Sequence, residues 1–146
     1  MNYTIREYET SDLEDLLNTW ENAAYLAHPF LTKEFQDQVR HDIPNVYLPN
    51  TQTWVAVYQG KVIGFISMMG NEIGALFVEP EFHGTGAGRL LVGKALELQD
   101  ELEVEVFEAN SIGRNFYHSY GFEPIEEKVH TETGQIALRL KYSSSK

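Results

Sequence analysis

At 146 residues the chain has the length of one domain that can bury its own core, and its lack of cysteine excludes a disulfide framework, thiolate metal sites and a cysteine nucleophile. A formal net charge of −11 argues against a nucleic-acid footprint and against docking on an anionic membrane, and can favour a cationic substrate. No N-terminal run resembles a signal peptide and no stretch is long enough to span a bilayer, so a soluble cytoplasmic protein is expected.

Tyr3 to Tyr8 reads as a short first strand. Ser11-Asp12-Leu13-Glu14 has the capping-box pattern, and Leu13, Leu16, Leu17, Trp20 and Ala24 then recur at helical spacing. His28-Pro29 ends that helix. Thr32 can cap a second one carrying Phe35, Val39 and Ile43, and Pro44 and Pro49 bracket a loop. Trp54 to Tyr58, a turn at Gln59-Gly60, and Lys61 to Met69 read as a β-hairpin. After a turn at Gly70-Asn71, Glu72 to Val78 is a third consecutive strand, so this part of the sheet is antiparallel.

A glycine loop, Gly84-Thr85-Gly86-Ala87-Gly88, then leads into a helix that starts near Gly88 and buries Leu91, Ala95 and Leu98. Leu102 to Phe107 is a strand, Ile112 to Tyr120 a helix ended by Gly121, and Phe122 to Val129 with Ile136 to Tyr142 a closing strand pair turning near Thr133-Gly134. The expected organisation is a single mixed α/β (α+β) domain over residues 1–142, followed by a tail, Ser143 to Lys146, that should fray.

The strand–glycine loop–helix unit around Gly84 to Gly88 carries chemistry. It places backbone N–H groups at a helix N-terminus, where the dipole favours anions, and glycine allows close approach of a phosphate. The dinucleotide fingerprint needs G-x-G-x-x-G; here the third glycine comes one residue early, and the preceding strands are hairpin-connected. Gly88 to Lys94 matches the start of a phosphate-binding P-loop, but Ala95 stands where the Mg²⁺-binding hydroxyl belongs. A tight turn without a ligand is the plain alternative.

A second motif weakens that alternative. Asn110-Ser111-Ile112-Gly113-Arg114-Asn115-Phe116-Tyr117-His118-Ser119-Tyr120-Gly121-Phe122 resembles the Asn-x-x-Ala/Gly-x-x-φ-Tyr-x-x-x-Gly-Phe signature (φ apolar) of GNAT-family (GCN5-related) N-acetyltransferases. The glycine loop resembles that family's acetyl-CoA loop, Gln/Arg-x-x-Gly-x-Gly/Ala, with His83 in place of the usual Gln or Arg. The hairpin containing Lys61 to Phe65 is also similar. The resemblance covers nearly the whole chain and suggests a small, bacterial-type, single-domain member.

The resemblance implies a mostly antiparallel sheet flanked by helices and splayed between the fourth and fifth strands. It implies acetyl-CoA as cosubstrate, with no metal, and the five histidines show no metal-ligand spacing. Backbone groups of His83, Gly84, Thr85, Gly86, Ala87, Gly88 and Arg89 would hold the pyrophosphate, and His83 can donate to a phosphate. Leu76, Phe77 and Val78 would pair with the pantetheine arm, and one of their N–H groups would polarise the thioester carbonyl. Asn110 would bind that arm or cap its helix. Tyr117 is the expected general acid, and also touches the cofactor. Glu72 and Glu105 are alternative bases or water-positioning groups, and a water chain could serve instead.

For the acceptor, Trp20, Tyr25, His28 and Phe30 offer an aromatic wall near the Tyr47 loop, able to hold a cation. Core packing is the competing role for Trp20. His28 is a substrate contact, a base or a loop hydrogen-bonder. The expected reaction is acetyl transfer by direct attack, in a ternary complex, on a primary amine of a small molecule, peptide N-terminus or lysine. The expected assembly is a monomer or homodimer. A non-catalytic acyl-CoA-binding sensor or interaction domain is the alternative.

Overall fold

The structure is a computed structural model that describes residues 2–144. In chain order the elements are β1 (Thr4–Glu7), α1 (Leu13–Ala27), α2 (Lys33–Asp42), β2 (Gln52–Tyr58), β3 (Lys61–Met69), β4 (Glu72–Val78), α3 (Ala87–Leu96), β5 (Glu101–Phe107), α4 (Ser111–Tyr120), β6 (Glu123–Val129) and β7 (Ile136–Ser143). The strands form one sheet in the order β1-β2-β3-β4-β5-β7-β6. Every neighbouring pair is antiparallel except β4 and β5. The mixed, mostly antiparallel sheet flanked by helices is the architecture that the sequence implies.

The parallel pair positions the site. β4 and β5 are in register only at Glu72–Glu103 and Ile73–Val104, after which they part. The cause lies on the other edge of β4. Ser67 of β3 faces Ala75, whereas Met68 faces Ile73, so Gly74 is an extra residue in the ladder. Such a bulge leaves one residue unpaired and bends its strand. The bend falls immediately after the last β4–β5 pair, and the expected splay follows.

Two apolar layers cover the sheet. On one face α1 lays Leu16, Trp20 and Ala24 against Val55, Val62 and Phe65. On the other, α3 and α4 place Leu91, Val92, Ala95 and Tyr117 over Ile63, Ile66, Val104 and Leu140. Helices α3 and α4 approach closely at Gly88, where an added Cβ would lie 2.9 Å from the Phe116 ring. The absence of a side chain there is what lets the glycine loop sit over α4.

Several local expectations are revised. The start of α1 is not organised by a Ser11–Glu14 box. Asp12 instead accepts the Glu9 N–H (2.8 Å) and both Arg6 guanidinium nitrogens (2.8 and 2.9 Å), and the Arg6 bond holds its carboxyl below the usual range. The segment between Pro44 and Pro49 is helical rather than a loop. A π-type turn runs Ile43–Tyr47 and a 3-10 turn Leu48–Asn50, with each proline in the first turn, where its missing N–H costs nothing. Ile43, expected on α2, is buried from this turn instead.

Helix α3 stops at Leu96, so Leu98 lies beyond it and is 52% exposed rather than buried. Strand β7 continues through Ser143, and Ser144 makes two hydrogen bonds to the Asp100 carbonyl, where a frayed tail is expected. The remainder of that tail, residues 145–146, lies outside the described residues.

Candidate functional site

The parted strands enclose a cavity of about 600 Å³. One side is β4 from Ile73 to Val78, the other β5 from Val104 to Phe107. Asn110, Gly113 and Tyr117 of the α4 region and Gly84, Gly86 and Gly88 of the glycine loop complete the lining.

The loop leaves a helix N-terminus open. Gly86 caps α3 with φ 98°, a left-handed conformation that side chains disfavour, and a Cβ there would meet only open space. The first backbone bond into α3 runs from Leu90 N–H to the Gly86 carbonyl (3.0 Å). The N–H groups of Ala87, Gly88 and Arg89 precede it and are the orphan donors that every helix start leaves. Arg89 adds a cation, braced with its guanidinium carbon 4.6 Å from the centre of the Tyr120 ring.

Thr85 fastens the loop. Its hydroxyl donates to the Phe82 carbonyl and meets the Tyr3 hydroxyl of the neighbouring β1 region, both at 2.6 Å. Ala87 is buried beneath the loop. His83 also lines the cavity. Its Nε2–H donates to the Val78 carbonyl at 2.8 Å, joining loop to strand.

At the α4 end, Asn110 caps its helix by accepting the Gly113 N–H (2.9 Å). Its amide N–H donates to His28 Nε2 at 3.3 Å. The acceptor role leaves the His28 ring neutral, and burial holds its pKa down to about 4. His28 is a hydrogen-bonded group in the cavity wall. Tyr117 lines the cavity between the edges of Phe116 and Phe122, and burial pushes its phenol well above the ordinary range. It stays protonated and can donate.

The two expected bases separate. Glu105 is the first β5 residue beyond the last β4–β5 pair, and among the described residues it is the one carboxylate lining the cavity. Glu72 does not line it. Its carboxylate pairs with Arg139 of β7 at 3.4 Å. The same guanidinium meets Glu103 at 3.1 Å and Glu105 at 3.9 Å, while Lys128 of β6 reaches Glu105 at 3.1 Å.

The aromatic wall also differs from expectation. Trp20 is 6% exposed in the α1 core, the packing alternative, and does not reach the cavity. Tyr25 is 78% exposed and lies by Glu79 and Pro80, outside it. His28 lines the cavity, and Phe30 packs edge-on behind it at 5.7 Å. His28 also packs on Phe77 and Phe107, Phe30 on Phe107, and Phe107 in turn on His130, none of them expected at the acceptor. Phe107 follows the alternation of Glu101, Glu103 and Glu105 onto one face of β5, which is the signal that could have found it. Arg139 and Lys128 become visible only once cross-strand register is known.

Among the described residues no group of three or more metal-ligating side chains comes together, and no helix is long and apolar enough to cross a membrane. Residues 14–140 match the family model described as an acetyltransferase (GNAT) domain. The chain is 33% identical over 120 residues to the peptidyl-lysine N-acetyltransferase YjaB of Escherichia coli, covering 82% of this chain and 81% of that one. It is 32% identical over 130 residues to the peptidyl-lysine N-acetyltransferase YiaC of Escherichia coli, covering 88% and 89%. The solution structure of apo YjaB from Escherichia coli superposes with a TM-score of 0.86 at 30% identity, over 97% of this chain and 98% of that one. The chain belongs to the GNAT family of acetyltransferases, enzymes that move an acetyl group from acetyl-CoA to an amine.

Proposed function

We propose that this enzyme acetylates the ε-amine of lysine side chains in peptides or proteins, by direct attack within a ternary complex with acetyl-CoA. The observation that carries the reading is the pairing of Glu105 and Tyr117 in one cavity, a single carboxylate and a protonated phenol behind an aromatic mouth. The names of the two relatives support the acceptor class. So does the openness of the acceptor side, since α1 packs on β3 and β4 while β6 is exposed along its whole length. An extended peptide has room on that face.

The residues fit acetyl-CoA. The open space at Gly86 and the orphan N–H groups of Ala87 to Arg89 would hold the pyrophosphate, aided by the α3 dipole. The β5-facing edge of β4 beyond Ile73 would pair with the pantetheine amides. The cosubstrate supplies a thioester whose leaving thiol, of pKa about 8.5, is only modestly basic.

Glu105 would accept the proton that a lysine ammonium must lose, directly or through water. Tyr117 would donate to the departing sulfur. The edges and faces of Phe107 and Phe30 would hold the aliphatic stem and its cationic end. Neutral His28, already accepting from Asn110, would shape the wall rather than carry a proton.

The test compares three acceptors in a thiol-release assay: an N-terminally blocked peptide with one lysine, a lysine-free peptide with a free N-terminus, and a short polyamine. The blocked lysine peptide is expected to turn over fastest. Faster turnover of either other acceptor overturns the lysine assignment.

A further inference from the structure

We propose that Lys128 is a self-acetylation site of this enzyme, an acceptor carried on its own outermost strand. The inference rests on the reading of Glu105 as the group that deprotonates an acceptor lysine.

The Lys128 ammonium lies 3.1 Å from Glu105 Oε2, the carboxylate that lines the cavity. Sheet register explains the reach. Lys128 of β6 faces Ala137 of β7, which in turn faces Phe107 of β5. The three form a row on one face of the sheet, and the small, buried Ala137 leaves a path over β7 toward β5. The row ends at Phe107, the ring that packs on His28 and Phe30. Lys128 therefore meets the base proposed for an external lysine and shares its face of the sheet with Phe107 of the aromatic wall.

Other lysines differ. Lys33 pairs with Asp37, Lys94 with Glu97 and Lys141 with Glu101, all carboxylates outside the cavity. Lys128 remains 53% exposed, so its side chain is held without being locked in place. β6 pairs only with β7 and forms the edge of the sheet, where backbone movement meets least resistance. Holding an amine beside its base replaces a bimolecular encounter with an intramolecular one.

The step balances. The Lys128 ammonium gives one proton to Glu105, and the freed nitrogen attacks the thioester carbonyl carbon of acetyl-CoA. A C–N bond forms and the C–S bond breaks, with its electron pair leaving on sulfur. Tyr117 protonates that sulfur and is restored by the second proton lost from nitrogen. The third stays on the amide, and the proton on Glu105 passes to solvent.

The test incubates the purified full chain with isotopically heavy acetyl-CoA and maps heavy acetyl-lysine by mass spectrometry across a dilution series. Lys128 is expected to gain label at least about tenfold faster than Lys33 or Lys61, at a rate independent of protein concentration. Tyr117→Phe is expected to slow that labelling at least about tenfold. Label distributed by exposure alone, label undiminished in Tyr117→Phe, or a rate that rises with protein concentration overturns the proposal.

A parallel assay follows thiol release with the blocked lysine peptide. Peptide turnover with unlabelled Lys128 overturns the self-acetylation alone, whereas failure of both overturns the lysine reading as well. A further arm omits acetyl-CoA and labels amines with acetic anhydride. Glu105→Gln is expected to change the reactivity of Lys128 relative to Lys33, because the ion pair that holds its amine against Glu105 is gone. Unchanged relative reactivity overturns the pairing on which the inference stands.

Discussion

Asn110 and His28 are 82 residues apart in sequence, yet one amide joins them: its oxygen caps α4 and its nitrogen donates to the imidazole. The start of α4 is thereby tied to the end of α1, so the wall of the cavity and the helix carrying Tyr117 move together. The arrangement requires a neutral His28, and its chemistry is visible in the pH dependence of stability.

His28 falls from an ordinary 6.5 to about 4 on folding because burial disfavours its cation. The unfolded chain therefore binds the extra proton first, and stability falls as pH drops from about 6.5 to about 4. Over that window the loss amounts to about 3 kcal/mol. His28→Gln, which never charges, is expected to flatten this part of the curve in chemical denaturation at several pH values. A slope as steep as in the parent chain would show that another group is responsible. The depressed carboxyl of Asp12 acts in the same direction, with its contribution lost as pH falls through its folded value.

Tyr117→Phe removes only a hydroxyl from a buried ring whose edge contacts remain. Turnover is expected to fall at least about tenfold while acetyl-CoA affinity changes little. Stopped-assay rates alongside calorimetric titration separate the two effects. Unaltered turnover would remove Tyr117 as the acid.

Gly86→Val meets two obstacles, a left-handed φ of 98° and a side chain projecting into the open space of the loop. Acetyl-CoA affinity is expected to fall by roughly tenfold or more, since backbone strain of this kind costs about 1–3 kcal/mol. Calorimetry gives the affinity, and circular dichroism checks that the fold survives. Full affinity in a folded variant would remove the loop from the cofactor site.

Glu105→Gln and Glu72→Gln should behave differently although both residues touch Arg139. The first is expected to lower kcat by about a hundredfold. The second is expected to change kcat little, because Glu72 lies outside the cavity. Equal effects on kcat would assign the carboxylate's role to the ion-pair cluster as a whole.

Much of this was readable in the chain. The Gln59-Gly60 turn fixed a hairpin, and the two glycine motifs placed the loop and Tyr117 before any coordinates. Gly74 was a readable but unused signal: an isolated glycine within a strand pattern marks a bulge, and this bulge opens the cavity. Trp20 and Tyr25 were misleading because helical spacing gives a face but not what lies opposite it. One faces the core and the other open solvent. The Pro44 segment was misread because proline is compatible with a first helical turn. The partners of Glu105 were not readable at all, because they belong to β6 and β7, whose register sequence pattern does not specify.

Arg139 has a mechanical consequence. It stands on β7, crosses β5 and meets Glu72 on β4, beside the last two residue pairs that β4 and β5 share. One guanidinium therefore rivets three strands at the vertex of a V. Because Arg139 is only 22% exposed and Glu72 36%, salt loosens this pair less than it would a fully exposed one. The root of the splay is thus held by charge as well as by backbone pairing, and the Gly74 bulge determines where β4 leaves β5.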